Sequence, residues 1–363
     1  MRRFLGKSLF TPNRFLIKPQ IKFQSFSYSQ DKKILEHLTN RSLLRIGGED
    51  SLSLLQGLIT NDMHHFLNGA ANIYTLFLNI KGRVLYDTII YKPPEENSFF
   101  YIECDSQILD QLQRHLKVYR LRRKVEIESL EGEMKIWALF NPSDFKKSEE
   151  PDLKLDGRIF PCGNNTQTSS KSVDKIIIYE DPRLGNLGLR ILTESSVERE
   201  EIVKHLESEG PYLEEKNPSY KEFRYKLGLG EGMEDLPPGK PLPLEVNGDY
   251  LQGISFHKGC YIGQELTART HHTGVVRKRL MPLMFDELPR EDFKYDEMIT
   301  NEAGKAVGKF RGRENKFGLG LMRISEALNS QKLEICGSRV TVLKPFWWPQ
   351  ESQKEELSAK GNK

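Results

Sequence analysis

The chain has 363 residues, 37% hydrophobic, 29% charged and 10% aromatic, with 54 Lys and Arg against 51 Asp and Glu. That length predicts two or three domains, and the apolar content excludes a wholly disordered chain. No apolar run reaches the ~18 residues that a membrane-crossing helix needs, and four cysteines without a Cys-x-x-Cys exclude a disulfide scaffold and a self-contained zinc or iron–sulfur site.

Residues 1–30 carry Arg2, Arg3, Lys7, Arg14, Lys18 and Lys22 and no acid before Asp31. Apolar residues alternate with these bases, and Ser25, Ser27 and Ser29 follow, the pattern of a mitochondrial presequence. Lys18 and Lys22 interrupt the compact apolar stretch that a secretory signal requires. Without those six bases the net charge moves from +3 to −3, so a globally basic nucleic-acid binder is not expected.

Residues 31–140 form the first predicted domain. Leu52, Leu55, Leu58 and Ile59 keep helical spacing after Asp50 and Ser51. Strands are predicted at Tyr74–Leu78, Val84–Tyr91 and Phe99–Glu103, with a proline-bearing turn at Lys92–Ser98. Ile108, Leu109, Leu112, Leu116 and Tyr119 describe an amphipathic helix, followed by strands at Val125–Ile127 and Met134–Phe140. Strands mixed with single helices indicate the α+β class.

Residues 141–276 form the second. Asn141–Lys175 reads as a long surface loop with one extended element near Arg158–Phe160. A strand at Ile176–Tyr179 and helices at Val197–Leu206 and Tyr220–Leu229 follow, then a proline-rich loop at Leu236–Leu244. Residues 277–348 hold short strand candidates at Leu280–Phe285, Met298–Thr300, Ala306–Phe310, Leu319–Met322 and Val340–Leu343, the spacing of a small β-barrel. Residues 349–363 are a polar tail.

The densest cluster of reactive types runs from His257 to Glu265, with Arg269, His271 and His272 just beyond. Lys258 and Arg269 are candidates to stabilise a Cys260 thiolate, and a helix opening after Gly263 would add its dipole. Gly259 and Gly263 remove bulk so that a partner can approach the backbone. Against this, a lone cysteine is more often a small buried hydrophobe than a reactive centre.

Lys258-Gly259-Cys260-Tyr261-Ile262-Gly263-Gln264-Glu265, with Arg269 four residues on, resembles the signature of the YgfZ-like branch of the folate-binding T-protein (aminomethyltransferase) superfamily. The resemblance continues through Leu55–Asp62, Asn79–Arg83, Asp181–Gly185 and the Gly228–Leu244 loop. It implies an α+β ring of three parts ending in a small β-barrel, around an opening in which related proteins hold a folate. It also implies a late role in iron–sulfur cluster assembly in the mitochondrial matrix, as an assembly factor rather than a classical enzyme. A-type scaffold proteins would be its partners, and [4Fe–4S] enzymes such as lipoate synthase and aconitase its recipients. Neither nucleic acid nor membrane is expected as a partner.

By the same resemblance, Cys260 would engage a [2Fe–2S] cluster shared with the partner, with Lys258, Gly259, Tyr261, Gly263, Gln264, Glu265 and Arg269 forming the docking site. One accessible cysteine cannot supply the four protein ligands that a cluster takes, so the cluster must be shared. The alternative is a folate-dependent one-carbon transferase using tetrahydrofolate, with Asp87, Asn61 and Asp62 at the folate pocket. The T-protein branch has an acidic pair after its Gly-rich turn; here Gly82–Asp87 keeps one acid, Asp87, which reads equally as an exposed strand residue.

The remaining features have structural readings. Arg114, Lys117, Arg120, Arg122, Arg123 and Lys124, with no acid among them, read as a solvated helix end or an anion-binding stripe. Adjacent histidines on a helix diverge by ~100°, which leaves His271-His272 short of a metal site. Cys104 and Cys336 read as packing residues, Cys162 as a residue of the long loop, and Trp347-Trp348 as an anchor of the chain end.

Overall fold

The computed structural model describes residues 33–94, 98–144, 170–206 and 218–349. The predicted presequence, the element near Arg158–Phe160, Cys162 and the tail beyond Pro349 lie outside these residues. The chain opens with β1 (Ile34–His37), β2 (Arg41–Gly47) and α1 (Ser51–Leu58), then β3 (Asn72–Leu78), β4 (Val84–Tyr91) and β5 (Phe99–Asp105). Helix α2 (Leu109–Arg120) precedes β6 (Glu126–Ser129) and β7 (Met134–Phe140).

Strands β2 to β6 make the first sheet, in the order β3-β4-β5-β2-β6. One of its faces packs against α1 and α2 through Leu54, Leu55, Leu58, Leu109, Leu112 and Leu116. The second sheet adds β8 (Ser170–Val173), β9 (Ile176–Glu180) and β10 (Leu189–Glu194), in the order β1-β7-β10-β9-β8. The sheets therefore do not follow the predicted blocks: β1 and β7, from the first block, pair with each other and with the second. Ile34 lies opposite Phe140, and Leu189 opposite Leu139.

The predicted loop 141–175 yields β8 at its end, paired in a hairpin with β9. Helix α3 (Arg199–His205) lies within the predicted helix 197–206. Helix α4 (Tyr220–Leu227) is capped by the Ser219 hydroxyl, which accepts from the Glu222 amide, and stops at Gly228 in the left-handed conformation. The short α5 (Gly232–Asp235) and then α6 (Gln264–Thr273) follow.

The last part is a closed six-stranded barrel. Its strands are β11 (Lys278–Phe285), β12 (Met298–Asn301), β13 (Ala306–Glu314), β14 (Phe317–Arg323), β15 (Leu333–Ile335) and β16 (Ser338–Val342), with α7 (Ile324–Asn329) between β14 and β15. Closure removes free sheet edges and buries Leu283, Phe285, Ile299, Phe310 and Val340. Trp348 packs into this core and the Trp347 indole donates to the Leu227 carbonyl, which anchors the chain end on α4.

Cys104 is buried as expected, but Cys336 is exposed. With φ of 47° at Cys336 and 80° at Gly337, the pair makes the two-residue turn between β15 and β16, and a residue at a hairpin tip has no core to enter.

Candidate functional site

The segments singled out in the sequence converge. Leu55–Asp62, at the end of α1, is hydrogen-bonded to Gln252–Ile262 along its length. The Thr60 hydroxyl donates to the Gly253 carbonyl at 2.6 Å, and the Ser255 amide donates to the Thr60 carbonyl at 3.0 Å. The Ile262 amide donates to the Gly57 carbonyl at 3.2 Å. The Asn61 side-chain amide donates to the Gln252 and Tyr74 carbonyls, each at 2.8 Å.

Lys258 closes this ledge. Its Nζ donates to the carbonyls of Gln56, Ile59 and Asn61, each at 2.7 Å, which caps the carbonyl end of α1. The expectation that Lys258 serves the Cys260 thiolate is thereby corrected: three carbonyls take the three ammonium protons. Burial pulls the pKa of this amine down to about 7, against the opposing Asp62 carboxylate. The ammonium also lies 5.0 Å from the Tyr261 ring, and Tyr261 is buried in the core.

Between these two anchors Cys260 is exposed. Past it, the Tyr261 amide donates to the Gln264 side chain at 3.1 Å, and α6 opens at Gln264. Gly263 stands at φ 79°, and a Cβ there would strike the Asn79 carbonyl and the Leu78 side chain. Gly82, at φ 74°, reciprocates: its Cβ would fall 3.0 Å from the Gly263 carbonyl. The Asn79–Arg83 turn is thus seated directly on the start of α6. Gly259, by contrast, faces open space. Glu265 and Arg269 are exposed on α6, Glu265 in its first turn, where an acid suits the dipole.

Asp181–Gly185 does not join this ledge. Asp181 and Arg183 belong to a buried ion cluster that the sequence reading missed. Arg41 on β2 donates to Glu103 at 2.8 Å and Asp87 at 3.2 Å. Arg183 reaches Asp181 at 2.7 Å and Glu231 at 2.6 Å. Arg190 on β10 bridges Glu231 at 2.5 Å and Asp181 at 3.3 Å, and Arg224 on α4 pairs with Asp235 at 3.0 Å. Burial pushes the Glu231 carboxyl up, but Arg190, Arg183, Arg224 and Arg41 together hold it well below the usual range. The available signal was an acid or arginine inside an apolar strand, as in Phe99–Asp105 around Glu103 and Leu189–Glu194 around Arg190.

The residues expected at a folate pocket do not fit that ligand. Asp87 is 2% exposed, correcting the reading of an exposed strand residue; its oxygens accept from Arg41 and from the Gly232 amide at 3.1 Å. Asn61 is committed to two carbonyls and to the Asp62 amide. Asp62 caps a short 3₁₀ turn, accepting from the His64 amide at 2.9 Å and from Gln56 at 3.0 Å. None of the three lines the cavity of about 430 Å³ beside Asp181–Gly185 or the one of about 510 Å³ between Leu242–Glu245 and α6.

His271 stacks on Phe256 with centroids 3.5 Å apart, and no group of three or more His, Cys, Asp or Glu suited to a metal occurs among the described residues.

A structural comparison defines the class. Glycine cleavage system aminomethyltransferase T from Bartonella henselae shares this fold, with a TM-score of 0.62 over 88% of this chain and 87% of that one, at 14% identity. Residues 277–350 match the family described as "CAF17, C-terminal beta-barrel domain". The chain therefore has the T-protein-like fold.

Sequence relatives are more specific. "Iron-sulfur cluster assembly factor IBA57, mitochondrial" of Homo sapiens is 38% identical over 330 residues, and that of Mus musculus 37% over 338, each spanning 86% of this chain and 84% of the relative. A homologue from Aspergillus oryzae is 34% identical over 321 residues, covering 79% of this chain and 69% of its own length. This chain belongs to the IBA57 family of iron–sulfur cluster assembly factors.

Proposed function

We propose that this chain acts in mitochondrial iron–sulfur cluster assembly, presenting Cys260 as one ligand of a [2Fe–2S] cluster shared with an A-type scaffold protein. The cluster is cargo, passed on toward the maturation of [4Fe–4S] enzymes. The observation that carries this reading is the exposed Cys260 between two fixed points, the Lys258 clamp and the Gly263 contact. A thiol in that setting is preorganised for an outside partner, and one cysteine leaves the remaining cluster positions to that partner. The ledge residues Gly259, Gln264 and Glu265 shape the surface the partner meets, with Tyr261 buried beneath them as an anchor.

The test is anaerobic reconstitution of this chain and an A-type scaffold with iron and sulfide, followed by size-exclusion chromatography and visible circular dichroism. A cluster signal in the heterocomplex that disappears with Cys260→Ala is the expected result. The same signal in both proteins rules out Cys260 as a required ligand.

A further inference from the structure

The basic stripe at the end of α2 carries more than a solvated helix end. Arg114, Lys117 and Val118 occupy one face of α2, at positions i, i+3 and i+4, opposite the buried Leu109, Leu112 and Leu116. Val118 is 68% exposed, and Leu121, the residue after the helix, is 77% exposed. Leu121 is held at φ 50° and ψ −118°, a conformation that suits glycine. A leucine kept in a costly backbone geometry with its side chain in water is the kind of outlier that marks a working surface. Arg122, Arg123 and Lys124 follow at once, all exposed. The acids nearby are few among the described residues: Asp110 is exposed on the same face one turn before Arg114, Glu49 pairs with Lys124, Asp50 accepts from the Lys124 amide, and Glu126 is exposed on β6.

We propose that this tip is a peripheral docking surface for an anionic lipid bilayer, with Val118 and Leu121 entering the headgroup region and the surrounding Arg and Lys meeting lipid phosphates. Charge complementarity alone would suit RNA or an acidic protein equally. The aliphatic pair distinguishes them: both side chains are largely exposed, and the nearby aromatic ring, Tyr119, is packed beside His115 with centroids 4.8 Å apart rather than left free as a stacking surface for a base. The proposal departs from the sequence expectation of no membrane partner, and it needs no membrane-crossing helix, of which there is none among the described residues.

Co-sedimentation of the full chain with phosphatidylcholine vesicles, and with phosphatidylcholine–cardiolipin vesicles at a four-to-one ratio, tests this. Residues 1–30 are basic as well, so the readout is the difference between each variant and the parent chain. Salt-sensitive binding to the cardiolipin vesicles alone is expected. Arg122→Ala with Arg123→Ala should weaken it roughly 25-fold, from about 1 kcal/mol per cation near an anionic leaflet. Leu121→Gly should weaken vesicle binding several-fold while raising the melting temperature, because it removes the apolar tip and relieves the backbone together. A merely structural Leu121 would change the melting temperature alone, and that result overturns the proposal. So does loss of RNA-oligonucleotide binding, with vesicle binding unchanged, in the arginine variant.

Discussion

Lys258 shows how one side chain sets the position of another without touching it. Its ammonium satisfies the carbonyl end of α1, and the next two residues are Gly259 and the exposed Cys260. Replacing it with methionine keeps the length of the stem and leaves three carbonyls without their donor. Hydrogen bonds to charged groups contribute about 1.5–3 kcal/mol each, and relief of the buried charge offsets part of their loss. Lys258→Met should cost about 3 kcal/mol in urea denaturation and make Cys260 react several-fold faster with iodoacetamide as the loop loosens. An unchanged alkylation rate would show that the loop holds its shape without the clamp.

At the scale of elements, the seating of α6 on the Asn79–Arg83 turn depends on two glycines facing each other at positive φ. Gly263→Ala places a methyl group against the Asn79 carbonyl and forces a left-handed conformation on alanine. The two effects should destabilise by about 3 kcal/mol or more. Gly259→Ala faces open space and should stay within about 0.5 kcal/mol in thermal melts. Equal losses at both positions would mean that the contact between α6 and the turn is not what Gly263 provides. Much of this was legible in the chain: the strands β3 to β5 and most barrel strands follow from periodicity and turn residues. Strands β2 and β10 were not, because Arg41 opens the one and Arg190 interrupts the other, and only partners far away in sequence make those residues suitable for a core. The joining of Leu55–Asp62 to Gln252–Ile262 was equally hidden, since backbone hydrogen bonds between distant segments leave no trace in local composition.

Across the whole molecule, the buried cluster sets Arg41, Arg183, Arg190 and Arg224 against Asp87, Glu103, Asp181, Glu231 and Asp235, one more acid than base. Asp87 takes up the imbalance. Burial raises its pKa to about 6, with Arg41 opposing, from an ordinary 3.8. Because the folded-state value lies above the unfolded one, the folded chain holds the extra proton between those values. Stability from this group is therefore full at low pH and falls as pH rises from about 4 through 6. The difference amounts to about 3 kcal/mol, roughly 1.4 kcal/mol per pKa unit. Asp87→Asn removes the titration, so the stability of the parent relative to the variant should drop between pH 4 and pH 7 in paired denaturation curves. A constant difference would place the excess charge on another residue.

The same cluster governs the order in which the chain can fold as it is synthesised from its amino end. Arg41, Asp87 and Glu103 arrive early, whereas the Gly232 amide that Asp87 accepts from lies 145 residues further on, and Glu231 is beside it. Until that stretch emerges, Arg41 is the one cluster cation in the first sheet and faces two acids, Asp87 and Glu103, and an excess buried charge costs several kcal/mol. A nascent chain halted before Asp181 should thus remain collapsed and fluctuating, and release of the α4–α5 region acts as the signal that lets both sheets lock at once.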